Sequence, residues 1–181
     1  SNERSLSTVA EHVQKVLNLP NAEWSAFCDE WWGRWNQPPG TSGMQPRVLH
    51  ALNQLGLDAR RVPASNLIFR RELSEDELGD RLEKLAQDCW PFHKKVLEDL
   101  GVRVILCFGH RAGSWVARQL RADVALGSYV EQNKRGWTSV ARGNRAGQVV
   151  VIATHPSRAN WENPNSDPTP LIERLLHSRS L

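Results

Sequence analysis

Two short apolar runs constrain the fold more than any other feature of the chain. Residues 102–109 (VRVILCFG) and 148–154 (QVVVIAT) are apolar at almost every position, where a half-exposed strand would alternate with polar side chains. Strands of this kind are buried on both faces, as in sheets that helices cover on either side. Segments with helical periodicity lie between these two runs and a third strand candidate at 62–69. The sequence therefore predicts a three-layer α/β/α fold with a short, mainly parallel central sheet.

Length and composition favour a single domain, residues 1–181. Hydrophobic residues make up 40% of the chain and charged residues 24%, an ordinary globular composition. No apolar run approaches the ~20 residues of a membrane span, so we expect a protein that does not enter a membrane. We also expect it to be a monomer. Residues 1–56 read as a helical part and 57–181 as the α/β core. Periodicity, caps and breakers place helices at 8–17, 24–35, 46–55, 74–100 (interrupted at Pro91), 111–120 and 169–178.

The cysteines and histidines predict neither a disulfide framework nor a metal site. Cys28, Cys89 and Cys107 are odd in number and form no CxxC pair, which favours reduced thiols in a cytoplasmic protein. All three are expected to be small buried hydrophobes. No H-E-x-x-H motif or paired cysteine spacing is present, so no metal and no cofactor is predicted.

Positive charge is concentrated in one segment of the chain. Residues 101–160 contain nine basic and two acidic residues, although the whole chain carries a net charge of only +3. A surface that faces nucleic-acid phosphates needs such an excess, because lysines and arginines release the counterions condensed on the backbone. A solvated basic face gives the same pattern, and charge alone does not decide between these interpretations.

Polar residues occur at the carboxyl ends of all three predicted strands, where α/β sheets bind their ligands. Asn66 lies in the first run, a Gly109–His110 turn follows the second, and His155 follows the third. A lone histidine is usually an ordinary hydrogen-bonded residue, and a glycine turn is often only a close corner. Together, however, an imidazole donor and an amide with adjacent donor and acceptor suit the recognition of a base. We expect Asn66 and His155 to line one cleft beside the turn.

Four segments in this order resemble the uracil-DNA glycosylase superfamily. They are PASNLIF (63–69), CWPFHKKVLEDL (89–100), VRVILCFGHRAG (102–113) and VVVIATHPSRANW (149–161), and the resemblance covers about residues 45–177. It implies an α/β fold and an enzyme that removes uracil or another deaminated base from DNA by hydrolysing the N-glycosidic bond. It also implies DNA as the partner.

The resemblance implies roles for individual residues. Asn66, with Phe69 in the same run, would bind the flipped base, and His155 would stabilise the departing uracil anion as the catalytic residue. The segment after the histidine would enter the DNA, and the basic segment would supply phosphate contacts. The DNA-binding residues expected on this basis are Ser157, Arg158, Asn160, Trp161, Arg142 and Arg145.

Departures from the family pattern keep other functions open. The family's first motif, a glycine-rich strand end with a carboxylate or amide that positions water, is not found before Asn66, so either it lies outside this sequence or the protein lacks it. A catalytically impaired relative that only binds nucleic acid or a nucleotide is therefore the alternative. Cys89 matches one ligand of the iron–sulfur branch, but the remaining ligands are missing, so no cluster is expected. A hydrolase using Ser114 ranks far lower, because GHRAGS lacks the spacing of a nucleophile elbow.

Overall fold

The computed structural model describes residues 11, 14, 18, 23–32, 37–69, 79 and 81–177. The chain divides into a smaller unit, Ser1–Trp24 with Pro63–Gly101, and a larger unit, Ser25–Val62 with Val102–Leu181. The described residues contain four α-helices and one four-stranded sheet, which confirms the mixed α/β class. The predicted helix at 8–17 and the predicted helix start at 74–78 lie, apart from single residues, outside the described part of the chain.

The sheet belongs to the larger unit and is mixed. Its strands are β1 (Val104–Phe108), β2 (Val124–Val130), β3 (Thr138–Gly143) and β4 (Val149–Ala153). They are arranged in the order β1-β4-β3-β2. β1 and β4 pair in parallel, whereas β3 pairs antiparallel with both β4 and β2. The expectation of a mainly parallel sheet is therefore wrong.

Two strands occupy the predicted places, and the third prediction is wrong. β1 and β4 lie within the apolar runs 102–109 and 148–154. The run 62–69 forms no strand and lies in the smaller unit from residue 63 onward, where its last residue bonds through its backbone N–H to the Cys89 sulfur at 3.4 Å. β2 and β3 lie where no strand was predicted. β2 is mostly exposed, and its pairing has an irregularity at Ala125/Gly127.

Three helices belong to the larger unit and one to the smaller. In the larger unit α1 is Gln45–Gln54, α3 is His110–Gln119 and α4 is Thr169–His177, and in the smaller unit α2 is Leu82–Asp99. These confirm four predicted helices, although α2 continues through Pro91 without the expected interruption. The predicted helix at 24–35 is wrong for its described part. Residues 26–29 form turns, in which the Ser25 carbonyl accepts from the backbone N–H groups of Cys28 and Asp29.

β4 lies at the centre of the core and is buried at every position. Val149 and Val151 pack in a cluster with Leu171 and Ile172 of α4. Ile152 points the other way, because a Cβ added to Gly113 of α3 would lie 2.6 Å from its Cγ2 atom. α4 therefore packs near one set of alternate side chains of β4, and α3 packs near the other set. None of the helices in the described ranges is long and apolar enough to cross a membrane.

Candidate active site at the carboxyl end of β4

His155 lies two residues beyond the end of β4, and hydrogen bonds fix its imidazole. Nδ1 accepts the backbone N–H of Ser157 at 3.1 Å and lies 2.7 Å from the Ser157 hydroxyl oxygen. A backbone N–H only donates, so Nδ1 is unprotonated and the neutral ring carries its proton on Nε2. His155 is thereby a hydrogen-bond donor at Nε2.

Residues 155–161, called here the HPS loop, are closed at their base. The His155 carbonyl accepts from the backbone N–H groups of Arg158 (2.9 Å) and Ala159 (3.0 Å), which makes a tight turn. At the end of the loop, Trp161 donates from Nε1 to the Thr154 carbonyl at 3.1 Å. This bond joins the residues on either side of the turn. The HPS loop is therefore held as a unit against the sheet.

The expectation that Trp161 contacts DNA is corrected by its burial. Its side chain is 0% exposed and packs with Ala51, Ala153 and Ala159. Its ring also meets Phe108 edge-on, with centroids 5.4 Å apart. An indole that is enclosed in the core and hydrogen-bonded at Nε1 has no surface for a base or phosphate. Trp161 therefore anchors the end of the HPS loop in the core.

The turn after β1 lies against His155, as the sequence predicted for Gly109. A Cβ added at Gly109 would be 3.6 Å from both Cβ and Cδ2 of His155. Gly109 has φ +91°, a conformation that favours glycine, and its N–H donates to the Ala153 carbonyl at 2.8 Å. His110 has a structural contact, because its Nε2 donates to the Thr138 carbonyl at 2.8 Å and joins α3 to β3.

Three of the predicted DNA-binding residues lie on the surface of the HPS loop. Ser157, Arg158 and Asn160 are exposed. Asn160 stabilises the chain that follows, since its Oδ1 accepts from the Glu162 N–H at 3.2 Å and its carbonyl from the Ser166 hydroxyl at 2.8 Å. These side chains share one short segment with His155.

Arg142 and Arg145 lie at the other end of the sheet. Arg142 is paired with Val150, near the start of β4, and Arg145 lies in the turn that connects β3 to β4. Arg142 also lines a pocket of about 300 Å³ with Arg118 and Arg121. The structure therefore does not place these two predicted DNA contacts beside His155.

Asn66 and Phe69 lie in the smaller unit, beside α2. Asn66 is exposed in a segment without regular secondary structure. The residues around it bond to His93, whose Nε2 donates to the Leu67 carbonyl at 3.0 Å. The Phe69 side chain is 37% exposed, and its ring centroid lies 5.1 Å from that of Phe92 and 4.9 Å from that of His93. Both predicted base-binding residues thus have surface available in their own unit.

Two arginines absent from the predicted site contact the HPS loop. Arg47, in the first turn of α1, donates from its guanidinium to the Pro156 carbonyl. Arg135, in the loop between β2 and β3, donates from Nη1 to the Arg158 carbonyl at 2.8 Å. The excess of positive charge in 101–160 included Arg135 without distinguishing it. No local signal marks Arg47, which is 109 positions from its partner.

Two cysteines of the larger unit have thiols whose pKa is raised by burial. Burial raises the pKa of the Cys107 thiol on β1 to about 12, so it stays protonated at neutral pH. Burial also raises the pKa of Cys28. Within the described ranges, no three histidine, cysteine, aspartate or glutamate side chains are grouped so as to hold a metal ion.

Comparisons with protein-family models, with curated proteins and with solved structures found no significant match. Function is therefore inferred from the sequence segments and from the geometry around His155. Within that geometry, the chemically distinctive element is an imidazole whose Nε2 proton is fixed at a strand end.

Proposed function

We propose that this protein removes uracil or another deaminated base from DNA by hydrolysing the N-glycosidic bond. The observation that carries the proposal is the bonding of His155 Nδ1 to the Ser157 N–H, which leaves the ring proton on Nε2. When the glycosidic bond breaks, negative charge develops on the pyrimidine oxygen. A fixed donor aimed at that charge in a site without bulk water is worth about 3 kcal/mol of barrier.

The surroundings of His155 suit this chemistry. An enzyme that acts on a base must take it out of the duplex, at a cost of a few kcal/mol, and hold it in a pocket. Exposed Ser157, Arg158 and Asn160 offer polar contacts to the strand from which the base is taken. The base-binding roles that the family resemblance implies for Asn66 and Phe69 stay predictions from the sequence.

The fold proposal keeps the three-layer α/β/α arrangement. It is supported by the packing of α4 near Val149 and Val151 and by the close approach of α3 to Ile152. DNA as the partner is supported by the excess of basic residues in 101–160. A monomeric state and a cytoplasmic location stay predictions from the sequence.

The test is a single-turnover excision assay on oligonucleotides that contain uracil, hypoxanthine or xanthine, with alkaline cleavage of the abasic product. We expect release of at least one base, and a rate about 100-fold lower for His155→Ala, the size of effect seen when one such donor is lost. The matched control is His177→Ala on α4, whose exposed ring bonds through Nδ1 to the Glu173 carbonyl. This control should keep the wild-type rate.

One outcome would reject the enzyme, and another would reject the role of His155. Binding of these DNAs without cleavage of any of them would leave the catalytically impaired binding relative. Equal rates for wild type and His155→Ala would remove the role assigned to the imidazole, even if base release occurred.

A further inference from the structure

The HPS loop is held at two carbonyls by arginines from two different elements. Arg47 of α1 bonds to the Pro156 carbonyl, and Arg135 of the β2–β3 connection bonds to the Arg158 carbonyl. These two carbonyls flank Ser157 along the chain, the residue that fixes the tautomer of His155. We call Arg47 and Arg135 the arginine pair.

Core packing fixes the first member of the pair. α1 carries Arg47 in its first turn and Ala51 one turn later. Ala51 is 1% exposed and packs with Ala153 at the end of β4 and with Trp161 at the end of the HPS loop. The backbone that carries Arg47 is therefore anchored to the same core as the loop that it contacts.

The second member is fixed by a preformed hairpin loop. Across residues 131–137, the Glu131 N–H donates to the Trp137 carbonyl at 2.8 Å. Inside this loop, buried Glu131 accepts from the Asn133 amide at 2.7 Å, and Asn133 Oδ1 accepts from the Arg135 N–H at 2.9 Å. The Arg135 guanidinium lies 4.5 Å from the centre of the Trp137 ring. These contacts restrict the guanidinium before any ligand binds.

Further bonds join the same hairpin to the chain after the HPS loop. The Gln132 N–H donates to the Asn165 carbonyl at 2.7 Å. The Tyr129 hydroxyl donates to the Pro164 carbonyl at 3.2 Å, and burial raises its pKa, so it remains a neutral donor. These bonds attach the β2–β3 hairpin to the chain that follows the HPS loop.

The arginine pair has donors beyond those that hold the loop. A guanidinium has five N–H groups, and each loop carbonyl uses one of them. Its planar fork matches the two oxygens of a phosphate. Residues 155–161 contain Arg158 and no acidic residue, so the HPS loop itself adds a positive charge. An anionic backbone that reached His155 would meet arginines attached to the loop that carries it.

We propose that the arginine pair binds two phosphates of duplex DNA beside the nucleotide held at His155, while positioning the HPS loop. This inference rests on the proposed function, since it takes DNA as the ligand. It adds a phosphate-binding element from α1 and the β2–β3 hairpin to the residues that the sequence indicated.

The experiment measures the salt dependence of DNA binding by fluorescence anisotropy between 50 and 200 mM salt. The probes are a duplex with one tetrahydrofuran abasic analogue, which cannot be hydrolysed, and the same duplex unmodified. Arg47→Gln with Arg135→Gln should reduce the magnitude of the log–log slope by about 1.8, since each lost phosphate contact contributes about 0.9. Arg47→Lys with Arg135→Lys keeps both charges and should stay within about 0.5 of the wild-type slope.

The matched control is Arg61→Gln with Arg174→Gln, which likewise removes two positive charges, both of them exposed. Arg174 bonds to the Pro170 carbonyl at 3.3 Å, so it resembles the arginine pair in its contact but lies on α4. This control should change the slope by less than about 0.5. Circular dichroism and thermal unfolding of every variant show whether the fold is kept.

The outcomes separate this inference from the proposed function. Equal slope changes in the arginine-pair and control variants, no change in either, or no binding to either duplex would overturn the inference. A reduced slope in a protein that excises no base would keep the inference and reject the enzyme. Base excision with an unchanged slope would reject the inference and keep the enzyme.

Discussion

The two ends of β4 carry similar positive charge but differ in what the charged groups are attached to. At the carboxyl end, Arg135 donates to a carbonyl of the loop that carries His155. At the amino end, exposed Arg142 and Arg145 lie around the β3–β4 turn. That turn is held by Asn144, whose side chain bonds to the Leu120 carbonyl and to the Gln148 N–H. Net charge therefore does not distinguish the two ends, whereas the groups to which the charged side chains bond do.

The largest effect is expected for Trp161→Ala, which removes the support of the carboxyl end. Loss of a fully buried tryptophan leaves a cavity and should lower the free energy of unfolding by about 3–5 kcal/mol. Urea denaturation measures this change. Trp31→Ala, at a side chain that is 54% exposed, should change stability by no more than about 0.5 kcal/mol. Similar losses in both variants would mean that Trp161 is not the support described here.

A smaller effect on stability is expected at the amino end. Asn144→Ala removes the side-chain bonds of the β3–β4 turn and leaves the Leu120 carbonyl without that donor, at a cost of about 1–3 kcal/mol. Base excision at a temperature where the variant is folded should keep the wild-type rate, because this turn is remote from His155. A loss of excision activity in folded Asn144→Ala would contradict the expectation that only the carboxyl end of β4 takes part in excision.

The smallest effect on stability is expected for Ser157→Ala. Unlike Asn144→Ala, this variant should change the rate of base excision. The variant loses the hydroxyl contact with His155 Nδ1 but keeps the backbone N–H, so the tautomer persists with a looser ring. Excision should slow by about three- to tenfold, the equivalent of one ordinary hydrogen bond. Stability, measured by thermal unfolding, should change by less than about 0.5 kcal/mol because the side chain is exposed. An unchanged rate would show that the hydroxyl does not hold the imidazole.

The sequence predicted those parts of the molecule that local pattern determines. Continuous apolar runs identified β1 and β4, and Pro46 and Gly56 marked the ends of α1. The position of His155 at the end of a strand followed from the same pattern. β2 was missed because a glycine and a serine interrupt its run of apolar residues. In the run 62–69 the β-type pattern was present, but the chain packs beside α2 instead of pairing in the sheet.

In the candidate site, too, the sequence predicted features that depend on neighbouring residues and missed contacts between residues far apart in the chain. A tryptophan next to basic and amide residues resembles a surface contact, and only the folded chain shows that Trp161 turns back to bond with Thr154. Arg47 is 109 positions from Pro156, and its role depends on α1 packing beneath the loop. Contacts at that separation leave no trace in the spacing of residues.

The most direct test of the account is the tautomer of His155, observed in a long-range ¹H–¹⁵N correlation spectrum of the labelled protein at about pH 8, above the usual histidine pKa. His155→Gln identifies its signals by their disappearance. The account predicts a neutral ring with the proton on Nε2 and an unprotonated Nδ1 that accepts from Ser157. A ring protonated at Nδ1 would contradict it, because Nε2 would then be an acceptor with no proton to offer a departing base.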